Sequence, residues 1–585
     1  MATGYQLRHL FVTILRDCTP TDPRALWEEF ADHICDDLAR QLARLRIREN
    51  PLPDEIRDYG LYLIEQLLSP SGKSLQNFQG MPQVTGNWEA NLHNHLIAEQ
   101  QQYDSVHQAQ LATECIAKLN PHQQAAFDKI TSAVTTKSGE SFFLHGAGGT
   151  GKTFLYNTLC YHLRSQDKIV LCVASSGIAA LLLQGGRTAH SCFKIPIPCH
   201  ESSICGIPKT SQLAELIRMT DMVIWDEAPM QHRHNMEAVD RTFRDILNNH
   251  EKPFGGLTIV FGGDFRQILP VIVKGSRGQT VASCLQRSSL WRSIKILHLH
   301  QNMRLNTNIV AEANFAKWQL EVGQGKHTND EGDITLPGNF KCEENDIDSL
   351  IATIYPGIST PDFPHPEQYF SERTILSTLN TEVDILNAKV LGKFSGDVQV
   401  FFSADSIPTS EQSGEEDIML NYPVEYLNSI NCSGLPLSKL KLKEGCPIMV
   451  LRNLDAAHGV CNGSRGILTR LRSRVLEVKL LTGDFAGQKV FIPRISNQPT
   501  EDQVAFKFTR RQFPIRLGFA MTFNKSQGQS VKHVGLDLRR PVFSHGQFYV
   551  GVSRVTSVCN LKVIWEDTER EPKTKNIVYT EVLLT

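Results

Sequence analysis

Between residues 1 and 105 apolar positions recur at helical spacing. Asp22 ahead of Pro23 marks a helix start, since a carboxylate caps free N–H groups and proline suits a first turn. Phe30, Ile34, Leu38, Leu42 and Leu45 then fall three or four apart and predict one apolar stripe. This region carries no evident chemistry and reads as a helical packing or docking unit. From residue 106 short apolar runs alternate with helical stretches. Asn120-Pro121 opens a helix through Ala125, Ala126 and Ile130, and apolar runs follow at Phe142–Leu144, Ile169–Ala174, Met222–Trp225 and Leu257–Phe261. Such runs predict a parallel sheet covered on both faces, over 106–300. Runs at Thr374–Ser377, Ile448–Leu451 and Leu561–Trp565 predict a second α/β sheet, over 301–464 and 514–585. Between them, 465–513 alternates with period two through Val475, Glu477, Lys479 and Leu481, turns at Thr482-Gly483-Asp484, and resumes at Val490 and Ile492. That is a small antiparallel β insertion. Residues 400–440 read as a long surface excursion, and no internal repeat is visible.

Composition changes this picture little. At 585 residues the chain exceeds one hydrophobic core, and 41% hydrophobic with 21% charged residues is ordinary for a globular protein. A net charge of -2 argues against coating nucleic acid by bulk charge but leaves room for a local basic groove. Fourteen cysteines without a CxxC pair argue against a zinc finger or a disulfide framework and fit reduced thiols inside a cell. No apolar run reaches the roughly 18 residues that span a bilayer, so no membrane partner is expected. The opening MATGYQLRHLFVTILRDC has a weak transit-peptide look, but a buried helix accounts for it better.

The chemistry starts at Gly146-Ala147-Gly148-Gly149-Thr150-Gly151-Lys152-Thr153, a P-loop between an apolar strand and a helix. Its glycines let backbone N–H groups surround phosphate oxygens, Lys152 can reach the β and γ phosphates, and Thr153 can ligate Mg²⁺. The run Met222–Trp225 ends in Asp226-Glu227: Asp226 would hold Mg²⁺ and Glu227 would polarise the attacking water. A lone DE pair usually marks a solvated loop; behind a P-loop strand it marks a nucleoside triphosphatase. Gln267, in Phe261–Gln267, suits a γ-phosphate sensor. Arg304 and Arg554 lie well beyond the first sheet, and an arginine supplied by a second domain would couple hydrolysis to domain closure.

In order and content these blocks resemble the superfamily 1B DNA helicases of the PIF (petite integration frequency) family. Leu119–Gln123 resembles that family's adenine-reading Q-motif, which implies Gln123 as a base contact. Ala174–Ala180 and Gly186–Phe193 resemble two DNA-contacting motifs, with Ser175-Ser176 standing where many relatives carry another residue and threonine. Pro253–Gly256 is similar to the end of the signature region, Ala520–Ser530 to motif V, and Phe548–Arg554 to motif VI. The blocks run from Leu119 to Arg554. Leu299–Leu305 and Pro23–Phe30 further resemble the helicase part of Helitron transposons, which would leave this chain without their replication-initiator nuclease.

The resemblance implies two RecA-like P-loop domains and ATP with Mg²⁺ as cofactors. It implies single-stranded and forked DNA as partners, 5′-to-3′ movement, and a role in repair, recombination, telomere maintenance or transposition in the nucleus, with the mitochondrion as second setting. Oligomeric state is not readable, and a monomer is compatible with all of this. Ser176, Gly177, Thr188, His190, Thr522 and Ser526 would contact the DNA backbone and Lys525 would add charge. Phe193 would stack on a base, though a single phenylalanine is more often core. Arg465, Arg470, Arg472, Arg474, Arg510 and Arg511 form either a DNA grip or a solvated basic face. A small-molecule P-loop kinase would not account for the blocks near 525 and 554. A transposon relic that binds nucleic acid without turnover remains the other reading.

Overall fold

The computed structural model describes the chain outside residues 1–3, 19, 45–46, 49, 70–71, 89–93, 305–309, 361–365, 408–421, 433, 456–457, 484, 500–503, 505, 530, 567–571 and 585. Leu45, Asp484, Leu305, Ser530 and part of the predicted 400–440 excursion lie outside the described residues.

Helices Gly4–Thr13, Pro23–Ile34, Leu38–Arg44 and Pro53–Leu68 form the N-terminal unit around Trp27, Leu38, Tyr59 and Ile64. Asp22 caps the second helix through the Ala25 N–H at 2.9 Å. The predicted stripe is interrupted: the helix stops at Ile34, and Phe30 is exposed while Ile34, Leu38 and Leu42 are buried. The unit ends before residue 105. Asn94 donates to the Gln212 carbonyl and Glu215, and helix Ser105–Ile116 packs on helix Lys152–Arg164, so this stretch belongs to the first α/β domain.

That domain is built on β1 (Ser141–Gly146), β2 (Ile169–Ala174), β3 (Arg187–Thr188), β4 (Thr220–Asp226), β5 (Thr258–Gly263) and β6 (Ile294–Leu299), in the order β3-β2-β4-β5-β1-β6, all parallel. The central strands are buried throughout, as expected of a sheet sandwiched between helices.

A second sheet opens with β7 (Arg373–Ser377). An antiparallel module of β8 (Pro447–Val450), β9 (Arg465–Leu471), β10 (Val475–Leu480), β11 (Lys489–Pro493) and β12 (Ile515–Leu517) intervenes, in the order β11-β10-β9-β8-β12. The second sheet then resumes with β13 (Ala520–Thr522), β14 (His533–Leu538) and β15 (Leu561–Trp565), parallel, in the order β13-β7-β14-β15. The insertion is therefore wider than 465–513. Pro447-Ile448-Met449-Val450, expected in the parallel sheet, is buried on both faces but pairs antiparallel with β9 and β12. The N-terminal unit docks on this module, with His9 Nδ1 3.6 Å from Asp455. No disulfide joins any of the fourteen cysteines, although the buried Cys160 and Cys172 sulfurs stand 3.3 Å apart.

Candidate active site

β1 delivers the chain into the P-loop, and the loop's shape requires glycine. Gly149 and Gly151 have φ of +89° and +79°, and a Cβ would strike Asn302 Oδ1 at 2.5 Å and Gln123 Nε2 at 2.4 Å respectively. Lys152 folds over the loop, donating to the Gly146 carbonyl at 2.6 Å and the Ala147 carbonyl at 3.2 Å. Thr150 Oγ1 also donates to the Ala147 carbonyl, at 2.9 Å. The half-buried Thr153 follows at the start of the helix, and Gly148 faces the second domain.

β4 ends at Asp226. Both Asp226 and Glu227 are buried, and Glu227 adopts a left-handed φ of +49°, a strained conformation for this side chain. Burial raises both carboxyls, against the pull of Lys152; Asp226 adds to the rise of Glu227, which reaches about 7. Asp226 Oδ1 is buried without a well-formed hydrogen bond, the Tyr156 hydroxyl standing beside it. An orphaned buried carboxylate oxygen fits a Mg²⁺ ion, which takes few protein oxygens and the rest from phosphates and water.

The two arginines enter from different sides. Arg304, expected on the second domain from its sequence distance, lies on the first instead. It follows β6, an edge strand of the first sheet, and the Met303 N–H donates to the Gly149 carbonyl at 2.8 Å. This holds Arg304 Cδ 3.2 Å from where a Gly149 Cβ would stand. Arg554 does come from the second domain, just after helix Gln547–Val552, with Nη2 3.9 Å from the Cβ position of Gly148. Its other donors hold the carbonyls of Val550, Ser526 and Gln529. Burial, then Arg304, lowers its pKa to about 10, while Glu227 opposes the shift.

Three further contacts cross the same cleft, and the sequence reading missed them. The Tyr549 hydroxyl donates to Asp264 Oδ2 at 2.9 Å; Arg266 holds the other carboxylate oxygen at 2.7 Å. Burial opposes the charge on Asp264, yet Arg266, His145 and Lys152 hold its pKa below the ordinary value. His545 accepts the Tyr579 N–H on Nδ1 and so donates from Nε2 to the Phe265 carbonyl, both at 2.8 Å. Gln267, buried, accepts from Gln527 Nε2 at 3.3 Å. Asp264 and Tyr549 lay inside the quoted motif blocks, and a polar residue amid apolar ones was the available signal.

The structure corrects several expected contacts. Gln123 is 1% exposed: its oxygen accepts the Asn120 N–H and its amide donates to the Thr150 carbonyl, so it braces the P-loop rather than presenting a free amide to a base. Phe193 is 0% exposed, packed against Trp225 and Phe243 in the first core, and offers no stacking face. Ser526 is buried and donates to the Phe523 carbonyl. Gly177 is buried where helix Gly177–Ala180 meets the β module; a Cβ there would stand 2.8 Å from the Asn462 carbonyl. Ser176 caps that helix through the Ala179 N–H, and half-buried Thr188 heads the next. His190 Nε2 is 3.5 Å from Asn235 Nδ2. Thr522 and Lys525 are half-buried, with Lys525 lowered to about 8 by burial and by Arg516, against the pull of Asp384. Gly528 approaches Ala179, its Cβ position 3.7 Å from the Ala179 Cα, so the expected DNA faces of the two domains meet.

The basic cluster divides. Arg465 is buried on the carbonyls of Phe370, Arg373 and Gly518, and Arg510 is buried against Asp405 at 2.7 Å, so both hold the fold together. Arg470, Arg472 and Arg474 are exposed and Arg511 is half-buried.

A family model described as PIF1-like helicase matches residues 118–333, and one described as DNA helicase Pif1, 2B domain, matches 425–471. The ATP-dependent DNA helicase PIF1 of Danio rerio is 27% identical over 453 residues, covering 76% of this chain and 61% of its own length. The ATP-dependent DNA helicase Pif1 of Bdellovibrio bacteriovorus is 27% identical over 452 residues, covering 76% and 88%. The chain thus spans about three fifths of the vertebrate relatives it matches. The crystal structure of Pif1 helicase from Candida albicans shares the fold, with a TM-score of 0.53 at 23% identity over 79% of this chain and 98% of that one. Bacteroides Pif1 bound to ssDNA gives 0.53 at 23% identity over 78% and 93%.

Proposed function

We propose that this chain, which PIF1-like helicase and Pif1 2B-domain models match over residues 118–333 and 425–471, is a helicase of that kind: an ATP-driven motor that moves 5′ to 3′ along single-stranded DNA and unwinds duplex at forks. The observation that carries the reading is Arg554, brought by the second domain to within 3.9 Å of the Gly148 Cβ position on the first domain's P-loop. An arginine held there completes the phosphate site only while the domains are closed, which ties turnover to movement.

In this reading the Gly146–Thr153 loop and Lys152 cradle the nucleotide phosphates, and Gln267 reads the γ phosphate through an amide linked to Gln527. Glu227 takes the proton of the attacking water, its raised pKa keeping it a competent base near neutrality. Arg304 and Arg554 neutralise charge as it moves to the leaving group. Mg²⁺, when bound by Thr153 and Asp226, would screen the phosphate charge. Ser176, Thr188, His190, Thr522 and Lys525 line the proposed strand track. Relatives bear the name ATP-dependent DNA helicase, and solved neighbours include Pif1 complexes with ssDNA and ADP-AlF3 and a Pif1 structure described as a basis for unwinding at forked dsDNA. The proposed setting is genome maintenance (repair, recombination or telomere upkeep) or Helitron-type transposition, in the nucleus or, second, the mitochondrion. Among the described residues no helix is long and apolar enough to cross a membrane.

ATP hydrolysis measured with and without single-stranded DNA, followed by unwinding of 5′-tailed and 3′-tailed duplexes, tests the reading. Stimulation by DNA and unwinding from 5′ tails are expected. Hydrolysis indifferent to DNA would refute the motor, and unwinding only from 3′ tails would reverse its polarity.

A further inference from the structure

On the first domain, away from the P-loop, helix Arg233–Ile246 and the turns Leu285–Arg287 and Ser289–Ser293 wall a groove of about 740 Å³. Five guanidinium groups line it, from Arg233, Arg241, Arg244, Arg287 and Arg292. They face three carboxylates, Glu201, Glu237 and Asp240, and among the described residues only Arg244 has a short ion pair there, with Asp240 at 2.9 Å. Asp240 is further occupied by the Phe254 N–H. Arg233 and Arg241 donate to the carbonyls of Arg287 and Ser203, which orients their guanidinium groups without neutralising them. Arg287 and Arg292 are exposed. The lining carries more arginines than carboxylates, and the guanidinium fork suits phosphate oxygens.

Helix Arg233–Ile246 separates the groove from the expected strand track, with Asn235 facing His190 on one side and the arginines lining the other. His190 is 3.5 Å from Asn235, which also donates to Gln231 at 2.6 Å and shares the first turns of a helix with Arg233. The lining holds no aromatic side chain. Single strands are usually gripped by stacking bases on aromatics, whereas a duplex can be held through its backbone alone.

We propose that this groove binds the phosphodiester backbone of the duplex arm of a DNA fork, an inference that rests on the helicase reading above. The duplex is held there without regard to sequence, while the separated strand occupies the cleft between the domains.

The test uses the full chain and the double variant Arg287→Gln/Arg292→Gln, two exposed positions whose loss leaves the core intact. Affinity is measured against salt for blunt duplex, forked DNA and single-stranded DNA, with inorganic tripolyphosphate as competitor. The variant should lose about tenfold in duplex and fork affinity at low salt, and its salt slope should fall by about 1.8, the release expected for two phosphate contacts. Single-strand affinity and single-strand-stimulated hydrolysis should stay within about twofold. Equal losses on single strands would overturn the proposal by making the groove part of the strand track, and unchanged fork binding would overturn it outright. Displacement of duplex by micromolar tripolyphosphate would reassign the groove to small anions. A parent protein whose hydrolysis ignores DNA would sink the helicase reading instead, and this inference with it.

Discussion

Replacing Tyr549 by phenylalanine removes one hydroxyl and little else. The ring lies against Gly323, where a Cβ would stand 2.8 Å from Tyr549 Cδ2, so phenylalanine should keep its place. The lost bond is the 2.9 Å donation to Asp264, between groups 1% and 0% exposed. Asp264 keeps Arg266 and the Arg266 N–H, so no isolated charge is left behind. The cost is therefore that of one hydrogen bond to a charged group, about 1.5–3 kcal/mol. Because the bond joins the two domains, that energy is drawn from the closed arrangement alone. At about 1.4 kcal/mol per factor of ten, the closed state loses roughly 10- to 150-fold in population relative to the open one. The P-loop belongs wholly to the first domain, so nucleotide binding should survive. DNA-stimulated hydrolysis at saturating ATP is expected to fall about tenfold or more, with the Kd for ATP changed less than about threefold. Titration with a fluorescent nucleotide and steady-state hydrolysis separate the two. A kcat within twofold of the parent would refute the reasoning, as would a loss of ATP affinity matching the loss of kcat, which would make Tyr549 part of the nucleotide site.

Other outcomes follow from the same geometry. Arg554→Lys keeps a charge but cannot hold three carbonyls and face the P-loop together; kcat should fall about 10³-fold with ATP binding retained, and a loss of soluble folded protein would mark the residue as chiefly structural. Glu227 accepts a proton only when ionised, and its pKa lies near 7, so kcat at saturating ATP should rise with pH between about 6 and 8; a flat profile contradicts the assignment. Lys525, lowered to about 8, is charged below that value and neutral above it, so affinity for single strands should weaken from pH 7 to 9, and Lys525→Gln should abolish this trend and reduce the salt slope by about 0.7. Phe193→Ala should cost about 3–5 kcal/mol in unfolding, read by denaturant melts, with DNA affinity retained by the folded fraction; a stable variant that binds DNA poorly would restore the stacking role.

The sequence identified local chemistry well and spatial order poorly. Gly146–Thr153 was readable because a P-loop is contiguous and its flanking strand and helix have clear periods. Arg304 was misassigned because nothing in Ile294–Leu299 says that the strand pairs beside β1 and not in a second sheet. Phe193 sits in a block that resembles a DNA-contacting motif, but a motif does not state which side of the helix faces the core. Arg510 looked like part of a basic face because its partner, Asp405, lies 105 residues away. Pro447–Val450 is apolar on both faces, the usual mark of a parallel strand, and the antiparallel module buries it equally well.

The interrupted second sheet also sets a timetable for synthesis. β7 pairs Ile375 with Ala520, and 520 − 375 places the partner 145 residues later. At about 5–20 residues per second a ribosome needs about 7–30 s to supply it. For that interval Thr374–Leu376, buried in the finished protein, has no neighbour in its own sheet. The antiparallel module, closed by β12 at Leu517, is complete first, so the second domain forms around an insertion that has already emerged. A nascent chain stalled before Ala520 would present β7 as an open apolar edge, the kind of strand that recruits chaperones or aggregates.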